Sequence, residues 1–446
     1  VSFCRLSPVV GRGGGRGPSK LRFRSLLECF AEHAGAISDR RRVRSATYSI
    51  ETCYRSAFSM FYLQDPSLLE FQRRFQEEVQ SNNLATVFGV EDIPSDTQLR
   101  DVIDGHEYER LREVFSAFIR RMQRSKQLER YRFYQGKYLL TLDGAEYFNS
   151  ERVSCEHCLH RHRSSGAVEH YHQALQPAIV HPQLREVLPL APEFIRQQDG
   201  SSKQDCEQNA AKRVSERLRS EYPQLAFIVV GDALYAAAEM IRRLVAKRFS
   251  FLLVVKPGKH TYLFDEIERL RGGGMLERLE QAERKGRRHI YEWSNEVAFG
   301  AGEKSPRVNF LSLRIVDATG KTTFRGSWVS DMPVDADNVE HLVRGARARW
   351  KIENEGFNTL KNHGYHLEHN FGHGRRHLSE AFFVVNLIAF FAHQIFQLVD
   401  SWYQNARAGF SSRREFWNCI RAMFSLFLFA HWDDVLARMN GPPQPI

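Results

Sequence analysis

Cysteine is scarce in this chain, and its most apolar run is short for a membrane span. Seven cysteines among 446 residues are odd in number and mostly scattered, which excludes the pattern of a secreted disulfide framework and predicts a reducing, cytoplasmic compartment. The most apolar stretch, 382–396, is short for a bilayer and contains Asn386, His393 and Gln394, so we predict a buried helix and no membrane partner. Residues 1–20 are interrupted by Gly and Arg and resemble neither a signal peptide nor a membrane anchor.

Charge of one sign is in excess. The sequence has 63 Lys and Arg against 53 Asp and Glu, a formal net charge of +10. A surplus of this kind is expected where phosphates are bound, but it is equally typical of a soluble basic surface. The length implies two or three domains, and a hydrophobic fraction of 42% is enough to form their cores.

Hydrophobic periodicity divides the chain into helical and strand-rich parts. Helical spacing dominates residues 21–135, which favours a helical bundle, with a helix-turn-helix DNA reader as the alternative. Apolar and β-branched runs then end at Asp143 and before Asp232, and Asp232 is followed by a helix and the strand-like FSFLLVVKP. This alternation predicts an α/β sheet.

Three carboxylates stand out in this pattern. Asp143 ends the run YLLTLD, Asp232 ends AFIVVGD, and Glu353 lies in the helical stretch RWKIENEGFNTLK. We predict that both aspartates lie at the carboxyl ends of strands, where open α/β sheets bind ligands. Mg²⁺ prefers oxygen ligands, and nucleic-acid enzymes supply few carboxylates because phosphate and water complete the coordination. The trio therefore indicates metal-dependent chemistry on DNA.

The apolar stripe of the predicted helix that carries Glu353 favours Glu353 over Glu355 as the third acid. Glu353 fills a gap in the stripe, whereas Glu355 points about 200° away around the helix. Arg349 and Lys361 flank Glu353 on nearly the same face and are predicted to contact the DNA backbone, the alternative being ordinary surface ion pairs. The stripe consists of Val339, Val343, Ala346, Trp350, Phe357 and Leu360.

The same region resembles a known family. RWKIE, followed by F, LK and NHGYHLEHNFGHG, resembles the glutamate region of Asp-Asp-Glu insertion-sequence transposases, in the group marked by a Tyr-Arg-Glu-Lys signature. Arg349, Glu353 and Lys361 match the family's Arg, Glu and Lys, the last with one extra residue in the spacing. Ala346 occupies the Tyr position, which indicates a divergent branch.

The resemblance implies a ribonuclease H-like catalytic core in which Asp143, Asp232 and Glu353 hold two Mg²⁺ (or Mn²⁺) ions. It implies cleavage of double-stranded DNA at transposon terminal inverted repeats and attack of the freed 3′-hydroxyl on target DNA. It also implies a homo-oligomer on DNA, at the nucleoid in the cytoplasm. Two alternatives stay open: a domesticated or inactive transposase-derived DNA-binding protein, and a stand-alone nuclease.

The predicted organisation is a ribonuclease H-like α/β core with a β-rich insertion, flanked by helical regions. Its segments are a disordered leader (1–20), a helical N-terminal domain with candidate DNA binding (21–135), the first part of the core (136–256), the insertion (257–334), the catalytic helix with a His/Gly-rich loop (335–375) and a C-terminal helical region (376–446).

Histidines gather in two further places. Cys155 and Cys158 with His170 and His172 are candidate zinc ligands, because two thiolates and two imidazoles form tetrahedral sites; the alternative is solvent-facing His and free Cys. The run 362–377 is predicted to be a loop. Its His363, Arg375 and Arg376 are predicted to contact DNA near a cut end, the alternatives being metal binding or a plain glycine-rich connection.

Overall fold

The computed structural model describes residues 17–41, 47–76, 78–197, 204–283 and 286–441. The predicted disordered leader therefore lies mostly outside the described residues. The chain combines a large mixed sheet with helices that gather at its N- and C-terminal parts, an α/β architecture consistent with the predicted class. The helices are α1 (Phe23–Gly35), α2 (Ile50–Tyr62), α3 (Leu68–Arg74), α4 (Glu78–Asn83), α5 (Asp96–Asp104), α6 (Glu109–Arg124), α7 (Glu207–Glu221), α8 (Ala238–Ala246), α9 (Thr261–Gly272), α10 (Val339–Arg347), α11 (Asn358–Asn362), α12 (Leu378–Val399), α13 (Ser401–Ala408), α14 (Arg413–Leu426) and α15 (Trp432–Asn440).

One sheet contains all eleven strands of the described residues. The strands are β1 (Tyr138–Ser150), β2 (Leu159–His162), β3 (Val168–Val180), β4 (Leu188–Pro189), β5 (Glu193–Ile195), β6 (Phe227–Gly231), β7 (Ser250–Val254), β8 (Glu277–Ala282), β9 (Arg288–Ala298), β10 (Arg307–Val316) and β11 (Thr322–Ser330). Their order is β2-β3-β1-β6-β7-β11-β10-β9-β8, with β4 and β5 paired to β3. The strands β1, β6 and β7 run parallel, and the other pairings are antiparallel.

Strand β1 is longer than its apolar run suggests. It pairs with β6 only from Tyr138 to Thr141, but it pairs with β3 as far as Ser150. The prediction that Asp143 ends a strand is therefore wrong, because the antiparallel partner extends β1 past the acid. Asp143 instead lies two residues beyond Thr141, the last residue of β1 that is paired with β6.

The strand-rich segment between α9 and α10 is part of this sheet. Strand β11 pairs antiparallel with β7, from Trp328 opposite Val254 to Ser330 opposite Leu252. Strands β10, β9 and β8 then continue outward in sequence. The predicted insertion thus extends the sheet that carries the aspartates, and it adds a wall beside them.

Helix α12 is the centre of the helical part. It is 22 residues long and buried along nearly its whole length, and it contacts α2, α5, α6 and α13. By length and composition it is the one described helix that could cross a membrane, although 89% of its most apolar window is buried inside the protein. Its polar residues form hydrogen bonds inside the protein. Asn386 donates to the carbonyl of Tyr365, and the hydroxyl of Tyr365 is hydrogen-bonded to His393. These bonds fix the His/Gly-rich loop against the core.

Candidate active site

Two of the three predicted acids lie side by side on the sheet. The parallel pairing of β1 and β6 ends with Thr141 opposite Val230, and Asp143 and Asp232 each follow two residues later. Neighbouring strands are about 4.8 Å apart, and residues two apart on a strand share a face. The register therefore directs both carboxylates to the same side of the sheet.

Glu353 reaches this position from a π-helical segment. Helix α10 ends at Arg347, and residues Ile352–Phe357 form wider π-helical turns that contact β1. The predicted apolar stripe is correct at its other members but wrong at Trp350, whose exposed fraction is 55%. The break after α10 and the π-helical turns change the angular spacing, so that a stripe drawn for one regular helix cannot continue through them.

The acids interact strongly with one another. Burial, together with the neighbouring Glu353 carboxylate, raises the pKa of Asp143 to about 7, while Arg349 opposes this change and Glu207 and Asp232 add to it. Arg349 donates through Nη1 to Oε1 of Glu353 at 2.5 Å, and its side chain is largely buried. The structure thus brings Asp143, Asp232, Glu353 and Arg349 together.

Glu207 is a fourth carboxylate at this site, and no sequence motif had singled it out. It opens α7, accepts hydrogen bonds from Gln173 and Tyr235, and lies so near β1 that a Cβ on Gly144 would collide with it. Burial raises its pKa, as does Asp232, whereas the two hydrogen bonds lower it. No motif surrounds Glu207 in the sequence, and only the folded sheet places it beside Asp143.

The donor set of this site fits divalent cations. Several carboxylates share a confined place, and their mutual repulsion would be relieved by a bound cation. Among the described residues, the three predicted acids do not form a group whose ligand atoms all lie within 4.8 Å of one another. Glu353 is instead held by Arg349, which compensates its charge.

A cleft of about 750 Å³ opens beside Asp232. Its walls come from the end of β7, the middle of β11 and the chain around the end of α10, and the aromatic side chains of Phe324, Trp328 and Trp350 contribute to them. Asp232 is the one acid among its lining residues, which include the cations Lys256, Arg325, Arg344, Arg347, Arg349 and Lys351. A cleft of this charge attracts a polyanion toward the acids.

The other predicted DNA-contacting residues have local partners or lie exposed. Lys361 forms an ion pair with Glu368 at 2.6 Å, which corresponds to the alternative prediction of an ordinary surface ion pair. His363, Arg375 and Arg376 are exposed. The backbone N–H groups of Arg375 and Arg376 donate to Asp104, which fixes the loop but leaves both guanidinium groups outside that contact.

The predicted zinc ligands require a correction. Cys155, Cys158 and His172 come together, but their fourth neighbour is His373 and not His170. His170 lies one strand repeat away on β3, in register with His160 on β2. The sequence interpretation chose the nearby histidine because the fold alone brings in His373 from the distant loop.

Comparison with known proteins found a matching family model. Residues 193–391 match the family model described as "Transposase DDE domain". The matched stretch contains Asp232 and Glu353 but begins after Asp143. The pairing of β1 with β6 is what places Asp143 near Asp232. No curated protein matches the chain. Over this stretch, which is less than half of its length, the chain is similar to DDE transposases.

Proposed function

We propose that the chain is an insertion-sequence DNA transposase with a ribonuclease H-like core, which cleaves transposon ends and transfers the freed strand into target DNA. The observation that carries the proposal is that Asp143 and Asp232 each lie two residues past the last paired residues of the parallel strands β1 and β6, with Glu353 interacting with Asp143 at the border of a basic cleft. The family match supports the same function.

Asp143, Asp232 and Glu353 would hold Mg²⁺ or Mn²⁺, in a two-ion arrangement. When bound, such ions activate a water or 3′-hydroxyl and stabilise the leaving oxygen, so that no protein nucleophile is needed. Arg349 orients the Glu353 carboxylate through their hydrogen bond. Because metal ligands must be deprotonated, the raised pKa of Asp143 predicts that metal binding releases a proton near neutral pH.

The cleft would hold the DNA. Arg325 and Arg344 are exposed on its walls and are placed to contact phosphates. Trp350 is exposed at the same cleft, where its ring offers a face for stacking on a base. Arg349 and Lys361, matched to the Tyr-Arg-Glu-Lys signature, support membership in that group, and each forms an ion pair with a glutamate.

The test is a reaction of purified protein with Mg²⁺ or Mn²⁺ and DNA that carries the element's own terminal repeats. Joined products are expected; products that are only cut would favour a stand-alone nuclease, and a mobility shift without cutting would favour an inactive DNA-binding descendant. Two-ended products formed by a protein dimer on DNA would support the proposed oligomer.

Isosteric variants sharpen this test. Asp143→Asn, Asp232→Asn and Glu353→Gln should each lose more than about 100-fold in cleavage rate, since even residues outside the ligand shell commonly account for 10- to 100-fold. They should keep DNA binding. Glu355→Gln is the matched control, because Glu355 lies in the same π-helical segment but faces Arg185. Cleavage retained by Asp232→Asn would exclude the assignment.

A further inference from the structure

The Cys/His cluster, formed by Cys155, Cys158, His172 and His373, has the composition and spacing of a metal site. The two Sγ atoms are 3.8 Å apart, and the Nε2 atoms of the two histidines are 3.0 Å apart. Nε2 of His172 lies 3.4 Å from Sγ of Cys155 and 3.5 Å from Sγ of Cys158. Nε2 of His373 lies 3.4 Å from Sγ of Cys158.

Four of these five separations suit tetrahedral zinc, and the 3.0 Å between the two Nε2 atoms is about 0.3 Å shorter than such a site requires. With Zn–S about 2.3 Å and Zn–N about 2.0 to 2.1 Å, tetrahedral geometry sets neighbouring ligand atoms about 3.3 to 3.8 Å apart. A disulfide does not account for the cluster, because bonded sulfurs are about 2.05 Å apart and the two histidines would then have no role.

His373 is already oriented to bind a metal through Nε2. Nδ1 of His373 lies 2.9 Å from the carbonyl oxygen of Gly374, so an Nδ1–H donates there and Nε2 presents its lone pair to the cluster. Gly372 and Gly374, with φ of 138° and 69°, flank His373. These backbone conformations, which L side chains rarely adopt, turn the loop so that His373 points inward.

The cluster is shielded by its surroundings. Cys158, His172 and His373 are buried and Cys155 is half-buried. The ring of Tyr147 stacks on His172, and that of Phe148 packs 4.3 Å from His373. The N–H of Cys155 points toward the sulfur of Cys158 at 3.4 Å, a contact that favours thiolate. Four protein ligands in a closed environment leave no open position, which distinguishes structural from catalytic zinc.

We propose that these four residues bind one structural Zn²⁺ ion, which fastens the His/Gly-rich loop after Glu353 to the antiparallel pair of strands β1 and β3. Phe148 of β1 is paired with His172 of β3, and Asp143 lies on the same β1 strand. Zinc would thus link the loop that follows the glutamate segment to the strand that bears the first aspartate. This inference rests on the cluster alone and does not depend on the proposed transposition.

The zinc content of full-length protein, purified without chelators under reducing conditions, tests the proposal. One zinc per chain is expected by elemental analysis. Cys155→Ser and His373→Ala should lose it, whereas the controls Cys206→Ser, at an exposed cysteine, and His170→Ala should keep it. Loss of zinc in His170→Ala with retention in His373→Ala would overturn the ligand set.

A second measurement uses the wild-type protein, in case a variant fails to fold. Replacement of the metal by Co²⁺ should give the visible absorption of a tetrahedral site with thiolate ligands. Removal of zinc by a chelator should make residues 362–377 more sensitive to limited proteolysis, and added Zn²⁺ should restore protection. Protein that neither contains zinc nor binds it on reconstitution, or whose mass shows a Cys155–Cys158 disulfide despite reductant, would contradict the proposal.

Discussion

At the scale of single residues, the candidate active site brings several like charges together. Asp143 is surrounded by Glu353, Glu207 and Asp232, and the neighbouring cation Arg349 offsets their charge. Such a cluster favours cation binding at the expense of stability, because each ionised acid raises the free energy of its neighbours.

We predict that Asp143→Asn stabilises the protein at pH 8 when no divalent cation is added. The pKa of Asp143 is raised in the folded state from 3.8 to about 7, so its contribution to stability is fully present below about pH 3.8 and is lost as pH rises through about 7. Since each pKa unit corresponds to about 1.4 kcal/mol, the gain should be about 2 to 4 kcal/mol at pH 8 and smaller at pH 5.

Denaturant unfolding at both pH values measures this difference. Asp337→Asn, at an exposed aspartate ahead of α10, is the control and should change stability little. If wild type and Asp143→Asn have the same pH dependence, Asp143 is not raised in pKa and the acids are not closely coupled.

A second prediction concerns a buried ion pair near the Cys/His cluster. Glu380 is buried and accepts hydrogen bonds from Arg196 at 2.9 and 2.7 Å and from Tyr108 at 2.6 Å. Burial alone would raise its pKa, but Arg196 and Tyr108 hold the pKa below its usual range. Arg196→Ala should therefore destabilise the protein by about 3 kcal/mol at pH 7, because a buried carboxylate loses its partner.

This contribution is present above the pKa of the unfolded glutamate and is lost as pH falls through the lowered pKa of Glu380. The difference between Arg196→Ala and wild type should accordingly shrink in acid. Arg110→Ala, at an exposed ion pair on α6, is the control. A difference that stays constant from pH 7 to acid would show that lost packing, and not charge, explains the effect.

At the scale of elements, caps and irregular turns place the functional segments. Asp104 at the end of α5 accepts four backbone N–H groups, those of Arg375, Arg376, His377 and Leu378, at 2.9 to 3.1 Å. The Asp104 carboxylate, which lies on another helix, therefore accepts hydrogen bonds from the backbone N–H groups at the start of α12. These bonds hold the pKa of Asp104 below its usual range against the opposing effect of burial.

We predict that Asp104→Ala lowers the free energy of unfolding by about 1 to 2 kcal/mol, the usual effect of removing a helix cap. Asp101→Ala, an exposed position on the same helix, is the matched control. Urea unfolding measures both variants. Equal effects of the two substitutions would mean that Asp104 does not stabilise the start of α12.

The sequence predicted these elements unevenly. The alternation after Asp232 correctly indicated parallel strands separated by a helix, because buried strands and their crossover helix have distinct periodicities. It did not predict the length of β1, which depends on β3, nor the π-helical turns around Glu353, which depend on packing. Trp350 was misplaced for the latter reason.

At the scale of the whole molecule, one sheet joins the aspartates to the wall of the basic cleft. Strand β11 follows β7 in the sheet and contributes Phe324 and Arg325 to the cleft. A sequence interpretation can recognise β-rich character but not that these strands extend the same sheet. His373 was not predicted as a ligand for a similar reason, since it is 201 residues away from His172 in the sequence and only the fold brings the two together.

We predict that Arg325→Ala and Arg344→Ala weaken DNA binding with little dependence on sequence. Each should reduce the slope of log affinity against log salt by about 1, since a lost phosphate contact releases one counterion fewer. Fluorescence anisotropy over a salt series measures this slope. Arg269→Ala, an exposed arginine on α9 paired with Glu266, is the control. Unchanged slopes for both cleft variants would place the DNA elsewhere.

The most direct test of the central claim is an anomalous diffraction map of the protein with Mn²⁺ and DNA. Manganese peaks are expected between Asp143, Asp232 and Glu353, with Glu353 released from its bond to Arg349, and they should disappear in Asp232→Asn. Manganese bound elsewhere, or no peak in contact with these three carboxylates, would contradict the account.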